Sequence, residues 1–387
     1  MTDPCLTTGQ APGSANDPVY LDANASEPLR PEARKALTRS LDIVGNPSSV
    51  HTAGRRARSV IEDARERIAA SLGADPAGLV FTSGGTESDV LALHALGVGR
   101  RLLVGATEHD AVRQAAGPAA TVLPVAPNGT LDLAALATAL ARPGGSALVC
   151  VMAANNETGV LHPLAEVSEL CRRHGARLHV DAVQAAGRVP LSLAALGADS
   201  MAISAHKMGG PKGAGALLLS PSIDRFILAP LIEGGGQERG RRGGTPALPA
   251  IAGFAAACEA ACTTLSAQSR LGRLRDRIEQ AARSAGALCI GADAPRLANT
   301  ACLGLAGRRA DVQLIALDLA GFAVSSGAAC SSGKVAQSHV LAAMGLSDLA
   351  GSAIRVSLPW NVRDADVDRF IDAYMRLARS GHVGLAA

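Results

Sequence analysis

From residue 79 onward the chain alternates, and that alternation narrows the folds open to it. Apolar, strand-like runs fall at 79–83, 101–107, 121–126, 147–155, 177–184, 200–207 and 215–220, with helical stretches at 87–96, 131–141 and 164–174. Strands that alternate with helices build an α/β fold, a mostly parallel sheet covered on both faces. Ligands of such folds bind beyond the carboxyl ends of the strands, so the residues at those ends need the closest reading. The rhythm changes after Gly243. Residues 246–285 read as two helices, and the rest mixes short strands (301–305, 321–325, 353–358) with helices (311–319, 365–378). The expected organisation is a large α/β domain over 18–250 and a smaller α+β domain over 251–387. Residues 1–17, polar and without an apolar signal core, are expected to be a disordered tail.

Ahead of the alternation, Val19-Tyr20-Leu21-Asp22 reads as a short strand and Pro31 suits the first turn of a helix. Gly45-Asn46-Pro47-Ser48-Ser49-Val50-His51 is a polar loop of the sort that is often functional. From Ala53, the positions Ala57, Val60, Ile61, Ala64, Ile68 and Leu72 keep helical spacing. Aromatic residues are only 2% of the 387, so the core is expected to rest on Ala, Val, Leu and Ile. A net charge of +3 points away from nucleic-acid and membrane partners. No run is long enough to span a membrane. The eight cysteines are scattered and include no CxxC pair or zinc spacing, which fits a reducing compartment and leads to a cytoplasmic expectation.

Five strand ends carry polar chemistry. Ser204-Ala205-His206-Lys207 closes the apolar run Ser200-Met201-Ala202-Ile203 ahead of the turn Gly209-Gly210-Pro211-Lys212-Gly213. A lysine so placed suits Schiff-base chemistry, or is a strand-end lysine in water. Thr82-Ser83-Gly84-Gly85-Thr86-Glu87-Ser88 is a phosphate cradle at a helix start, or a plain N-cap. His109, in Thr107-Glu108-His109, stacks on a flat ring or sits on a polar rim. Asn155-Asn156 bonds a ring hydroxyl or ties off its turn. Asp181, inside the apolar run His179-Val180-Asp181, is expected to be buried and therefore paired, with a protonated pyridine nitrogen or with an arginine. Together, taken along the chain as a phosphate cradle, a stacking histidine, a buried aspartate and a strand-end lysine, these are the parts needed to hold pyridoxal 5′-phosphate.

On these residues the chain resembles the cysteine desulfurases of the nitrogen-fixation and iron–sulfur-assembly type, fold-type I pyridoxal-phosphate enzymes of the class-V aminotransferase family. Beyond the segments above, the resemblance rests on Gly234-Gly235-Gly236-Gln237-Glu238-Arg239, Ser325-Ser326-Gly327-Ala328-Ala329-Cys330-Ser331-Ser332-Gly333 and Ile354-Arg355-Val356-Ser357. It implies that Lys207 holds the cofactor aldehyde, Asp181 the pyridine nitrogen, and Asn156 and Gln184 the ring oxygen. His109 stacks and moves protons. Gly85, Thr86, Ser204 and His206 hold the phosphate, joined by Thr245 of a neighbouring subunit, which implies a homodimer. Arg355 and Asn156 hold the carboxylate of the substrate, L-cysteine.

Cys330 is the implied nucleophile. It becomes a persulfide, hands sulfur to an iron–sulfur scaffold or other acceptor protein, and through that persulfide is a candidate transient ligand to cluster iron. The residues support this independently, because a loop over 325–335 rich in Ser and Gly suits an exposed, reactive thiol. That segment resembles the longer, mobile-loop kind. The chain departs from the family pattern at Ala23, Ser26-Glu27, Val90 and Ala205; Ala23 and Glu27 are expected to bear on the substrate-side loop. Other fold-type I enzymes (a selenocysteine lyase or an aminotransferase) and a non-catalytic sulfur carrier or scaffold are the competing readings.

Overall fold

A computed structural model describes residues 18–223, 228–327 and 337–379. The chain opens with β1 (Val19–Tyr20), α1 (Pro31–Leu41) and α2 (Thr52–Ser71). The alternation then runs β2 (Leu79–Thr82), α3 (Gly85–Leu96), β3 (Arg101–Gly105), α4 (Asp110–Ala116), β4 (Thr121–Leu123), α5 (Leu133–Ala141) and β5 (Ala147–Met152). It continues through α6 (Leu164–Arg173), β6 (Arg177–Asp181), α7 (Leu193–Leu196), β7 (Ser200–Ser204) and β8 (Gly215–Leu219). Next come α8 (Leu248–Thr263), α9 (Gln268–Ser284), β9 (Leu288–Ile290), β10 (Thr300–Gly304), α10 (Ala310–Leu319), β11 (Phe322–Ala323) and β12 (Ser325–Ser326). The last elements are α11 (His339–Ala343), β13 (Ala353–Ser357) and α12 (Asp364–Arg379).

The large sheet has seven strands in the order β2-β8-β7-β6-β5-β3-β4. Only β8 opposes its neighbours; the other strands share one direction. Alternate residues feed opposite helix layers. Val149 and Val151 of β5 join the core built with α2, α6 and α8, while Leu148 and Cys150 join the one built with α3. Burial on both faces explains why these strands read as unbroken apolar runs. The expected strands overran the observed ones at their carboxyl ends: 200–207 ends at Ser204, 177–184 at Asp181 and 147–155 at Met152. There the chain leaves the ladder, which frees the polar residues that follow from strand geometry.

The second sheet is antiparallel, in the order β12-β13-β10-β9, with β1 pairing β11 beside it. Its core is mainly Leu, Ile, Val and Ala, as expected, with a small aromatic group set into it. Phe322, Phe370 and Tyr374 are all buried there, with Phe322 and Phe370 edge to face at 5.6 Å. Packing also bears on the expected boundary at 250. Helix α8 places Ile251, Phe254, Ala255, Cys258 and Ala261 in the core of the large sheet, whereas Val19 and Leu21 belong to the smaller core. We propose that the boundary falls between α8 and α9 and that β1 crosses to the smaller unit. The expected tail at 1–17 lies outside the described residues.

Candidate active site

Strand β7 delivers its last residue, Ser204, and a single 3₁₀ turn, Ala205–Lys207, then carries the lysine sideways. Gly209 permits this with a φ of +81°; a Cβ there would lie 2.6 Å from Cγ of Arg30 and 2.9 Å from the Pro28 carbonyl oxygen. The turn is stitched to the N-terminal loop, since Glu27 N–H donates to the His206 carbonyl and Arg30 N–H to the Gly209 carbonyl. Lys207 Nζ donates to the carbonyls of Asn24 (2.5 Å) and Ala25 (3.1 Å). Burial, helped by the positive charges of Arg355 and Arg188, lowers its pKa to about 8. A far larger share of this amine is therefore uncharged near neutrality than of an exposed lysine.

On the adjacent strand, β6 ends at Asp181, which is buried. Its carboxylate accepts one hydrogen bond, from Val183 N–H at 2.9 Å. Burial, reinforced by the negative charge of Asp89, raises its pKa to about 7, against the favourable influence of His109 and His179. Beneath it, His179 is held by Asp89 Oδ1 (3.1 Å) and Ser200 Oγ (2.9 Å), and burial depresses its pKa to about 4. Glu108 is buried in the same region, accepts from Met152 N–H at 2.8 Å, and is pushed well above the usual carboxylate range by burial. The floor of the site is thus dry and rich in carboxyl groups, and a cation above Asp181 would favour its ionised form.

A pH dependence follows. The ordinary Asp181 pKa of 3.8 rises to about 7 on folding, so between those values the folded state holds a proton that the unfolded state lacks. Stability contributed by this group therefore falls as pH rises through the window. In cofactor-free protein, Asp181→Asn should flatten that part of the fall, read as urea midpoints across the window. It should also weaken cofactor retention on dialysis. Parallel profiles for both proteins would refute the assignment.

At the end of β2, Gly84 caps α3 with no side-chain hydrogen bond, leaving the first N–H groups of the helix to a ligand. A Cβ on Gly85 would lie 2.6 Å from Val183 Cγ2 and 3.6 Å from Ser204 Cβ, so glycine lets the helix start approach the β6 and β7 ends. Ser204 Oγ is buried there without a hydrogen-bond partner. Thr86 is exposed in the first turn. His206 is half-buried, with Nδ1 3.3 Å from Ser26 Oγ, and burial lowers its pKa to about 4. His109 is exposed at the N-cap of α4, where its Nδ1 accepts from Ala111 N–H at 3.1 Å.

The remaining expected residues meet at Asn24, a buried hub that no sequence motif singled out. Its carbonyl accepts from Lys207 and from Gln184 Nε2 (2.9 Å); its Nδ2 donates to the Asn156 carbonyl (3.0 Å) and Thr300 Oγ1 (3.0 Å). Gln184 Oε1 is bonded by Arg188, itself buried and paired with Glu27 at 3.1 Å. Both ends of the Gln184 amide are therefore engaged within the protein. Arg355, on β13, donates to Asp22 Oδ1 (2.7 Å) and the Asn156 carbonyl (3.1 Å), while its Nε is buried without a partner. Asp22 was legible only as the end of a short strand, and Arg188 carried no motif that would have marked it.

Among the departures, Glu27 is buried; it accepts Trp360 N–H at 2.6 Å as well as Arg188, so it anchors the loop from within. Ala23 is buried with its carbonyl accepting from Arg188, and Ala205 is buried behind the lysine turn. Thr245 stands exposed ahead of α8 and bonds none of these residues. Cys330 lies outside the described residues.

A mostly parallel sheet with a lysine, a buried aspartate and a capless helix start at its carboxyl ends defines the fold-type I class of cofactor-binding enzymes. The model of the aminotransferase class-V family matches residues 19–370. The chain is 40% identical to an IscS-like cysteine desulfurase of Mycobacterium tuberculosis, covering 95% of this chain and 98% of that protein. It is 41% identical to a cysteine desulfurase of Cereibacter sphaeroides, covering 92% and 94%. A crystal structure of a NifS-like protein from Rickettsia africae superposes with a TM-score of 0.86 at 33% identity, covering 94% of this chain and 99% of that one. The chain belongs to the class-V aminotransferase family, in the branch of the cysteine desulfurases.

Members of this branch depend on pyridoxal phosphate, and the residues present fit it. The unpartnered Ser204 hydroxyl and the free start of α3 suit a phosphate. The buried, singly bonded Asp181 suits a protonated ring nitrogen, and the amine of Lys207 suits the aldehyde.

Proposed function

We propose that the protein converts L-cysteine to L-alanine and stores the released sulfur as a persulfide on Cys330 for acceptor proteins of iron–sulfur cluster assembly. The observation that carries this reading is the pairing, at neighbouring strand ends, of a half-buried lysine of lowered pKa with a buried aspartate that forms no ion pair among the described residues. Pyridoxal phosphate, when bound, supplies an electron sink for carbanion chemistry at the substrate Cα. The chain supplies the rest. Asp181 holds a proton on the ring nitrogen. The start of α3, with Thr86, Ser204 and His206, holds the phosphate. Arg355, with its unpartnered Nε, and Asn156 hold the substrate carboxylate. Lys207, as a free amine, takes the proton from Cα, and His109 exchanges protons at the substrate thiol.

Cys330 completes the reaction as a thiolate. It attacks Sγ of the bound cysteine, so an S–S bond forms as the Cβ–Sγ bond breaks, and the carbon skeleton takes up protons and leaves as alanine. The reducing cytoplasm suits this thiol chemistry and the six free cysteines of the described residues. Recovery of alanine and persulfide in equal amounts from cysteine tests the reaction. A keto acid product would select an aminotransferase instead.

The active unit is a homodimer in this reading. Val44 and Val50 are 82% and 83% exposed around the Gly45–His51 loop motif, and Leu231 and Ile232 are exposed before Thr245. If Thr245 serves the phosphate of the other subunit, Thr245→Ala and Lys207→Ala are complementary. Each variant alone should be impaired. Co-refolded mixed dimers should recover activity, because one of their two sites has both residues intact. No recovery in mixtures of verified dimers would place Thr245 elsewhere.

A further inference from the structure

Gly327 and Ser338, which lie on either side of Cys330 in the sequence, converge on one carboxylate, that of Glu157. Glu157 is buried, and its backbone is fixed by Asn155, whose Oδ1 accepts from the N–H groups of Glu157 (3.0 Å) and Thr158 (2.9 Å). On one side stands Gly327, directly after β12, whose Ser325 pairs with Arg355 across the sheet. A Cβ on Gly327 would lie 2.0 Å from Glu157 Oε2, so any side chain there would fall on the carboxylate. On the other side, Ser338 Oγ donates to the same Glu157 Oε2 at 2.5 Å while accepting from Leu341 N–H at 3.1 Å, which caps α11. The next residue, His339, places Nε2 3.1 Å from the carbonyl of Glu108, the residue preceding His109.

Glu157 belongs to the large sheet's side of the site, following Asn156, whose carbonyl binds Arg355. The chain from Gly327 to Ser338 contains Cys330. One oxygen atom on the substrate wall therefore meets both ends of the chain that carries the thiol. A structural tie between the two units would need only one such contact. A hydrogen bond from Ser338 and the close approach of the Gly327 backbone set both residues against one oxygen, on the wall that holds Arg355.

We propose that Glu157 is a positioning residue for sulfur transfer, pinning both roots of the Cys330-bearing segment to the wall that holds the substrate carboxylate. This rests on the reading of Cys330 as the nucleophile. Misplacing a reacting group by about an ångström costs on the order of 100-fold in rate, so the loss of the pin should appear in the transfer step. Substrate binding to Arg355 should remain.

The test uses holoenzyme. Glu157→Ala should lower the single-turnover rate of sulfur transfer from cysteine to Cys330 on the order of 100-fold. The cysteine concentration that half-saturates the cofactor's spectral change should not move. Hydrogen exchange at the start of α11 should rise. Glu157→Gln keeps an acceptor for Ser338 and should restore transfer. Ser338→Ala should shift rate and exchange in the same directions, and Gly327→Ala, by pushing the carboxylate aside, should do likewise; these two variants carry the test if Glu157→Ala fails to fold. Wild-type transfer in Glu157→Ala, unchanged exchange, or an equal loss of cysteine binding would each overturn the proposal. A Cys330→Ala control separates the two readings. If it still transfers sulfur, the nucleophile assignment fails, whereas the exchange data report on the pin regardless.

Discussion

Lys207→Ala should abolish turnover, with a loss on the order of a thousandfold or more. It should also remove the visible absorption that pyridoxal phosphate gains when its aldehyde is held by the protein. The expectation follows from the surroundings of the amine. The carbonyls of Asn24 and Ala25 fix Nζ, and burial with Arg355 and Arg188 nearby brings its pKa to about 8. A base so placed is available near neutrality and is aimed by its hydrogen bonds. Lys207→Arg should not rescue, since a guanidinium stays charged. The phosphate cradle and Asp181 are untouched by either change, so the cofactor should still bind, more weakly, and appear as a free aldehyde. A small primary amine added to Lys207→Ala should restore a fraction of the rate. Retention of both colour and turnover would remove Lys207 from the mechanism.

The strand ends were legible because each broke an apolar run with a polar residue. Asp181 follows buried Leu178, His179 and Val180, and Ser204 follows buried Met201, Ala202 and Ile203; a carboxylate or hydroxyl in such company needs a reason. The runs were overextended because composition does not mark where a ladder ends; only the turn chemistry after Met152, Asp181 and Ser204 does. Helix α4 escaped notice since seven residues of Asp-Ala-Val-Arg-Gln-Ala-Ala give no stripe to count. Asn24 was hidden for a different reason. Its partners are Gln184, Lys207, Asn156, Thr300 and Asn299, all more than a hundred residues away, and no local pattern encodes such a hub. The pairing of Arg355 with Asp22 spans nearly the whole chain and was equally unreadable. Helix α8 sits with the large sheet because its apolar face meets α1 and α2, a tertiary choice that its Ala-rich sequence leaves open on every side.

Cys330→Ser should leave cysteine binding at the cofactor intact while lowering persulfide and alanine formation on the order of a thousandfold. A serine hydroxyl is not ionised near neutrality and is a poor nucleophile toward sulfur, so nothing replaces the thiolate. The other cysteines sharpen the claim. Burial pushes the Cys171 thiol up to about 12 and Cys289 up to about 11, and raises Cys302 further. Cys150 is also raised by burial, and Cys258 by its hydrogen bond with Cys262 and by burial. Thiols held in this way form little thiolate and are poor nucleophiles for sulfur transfer. Cys262 is the exception among the described residues: its hydrogen bond with Cys258 lowers its pKa, and it is only half-buried. The decisive comparison is therefore Cys330→Ser against Cys262→Ser, assayed by alanine release and by the mass of one added sulfur on the peptide bearing Cys330. The first variant should lose both signals and the second should keep both. Transfer that survives Cys330→Ser and dies with Cys262→Ser would move the nucleophile to α8 and, with it, the route by which sulfur leaves the protein.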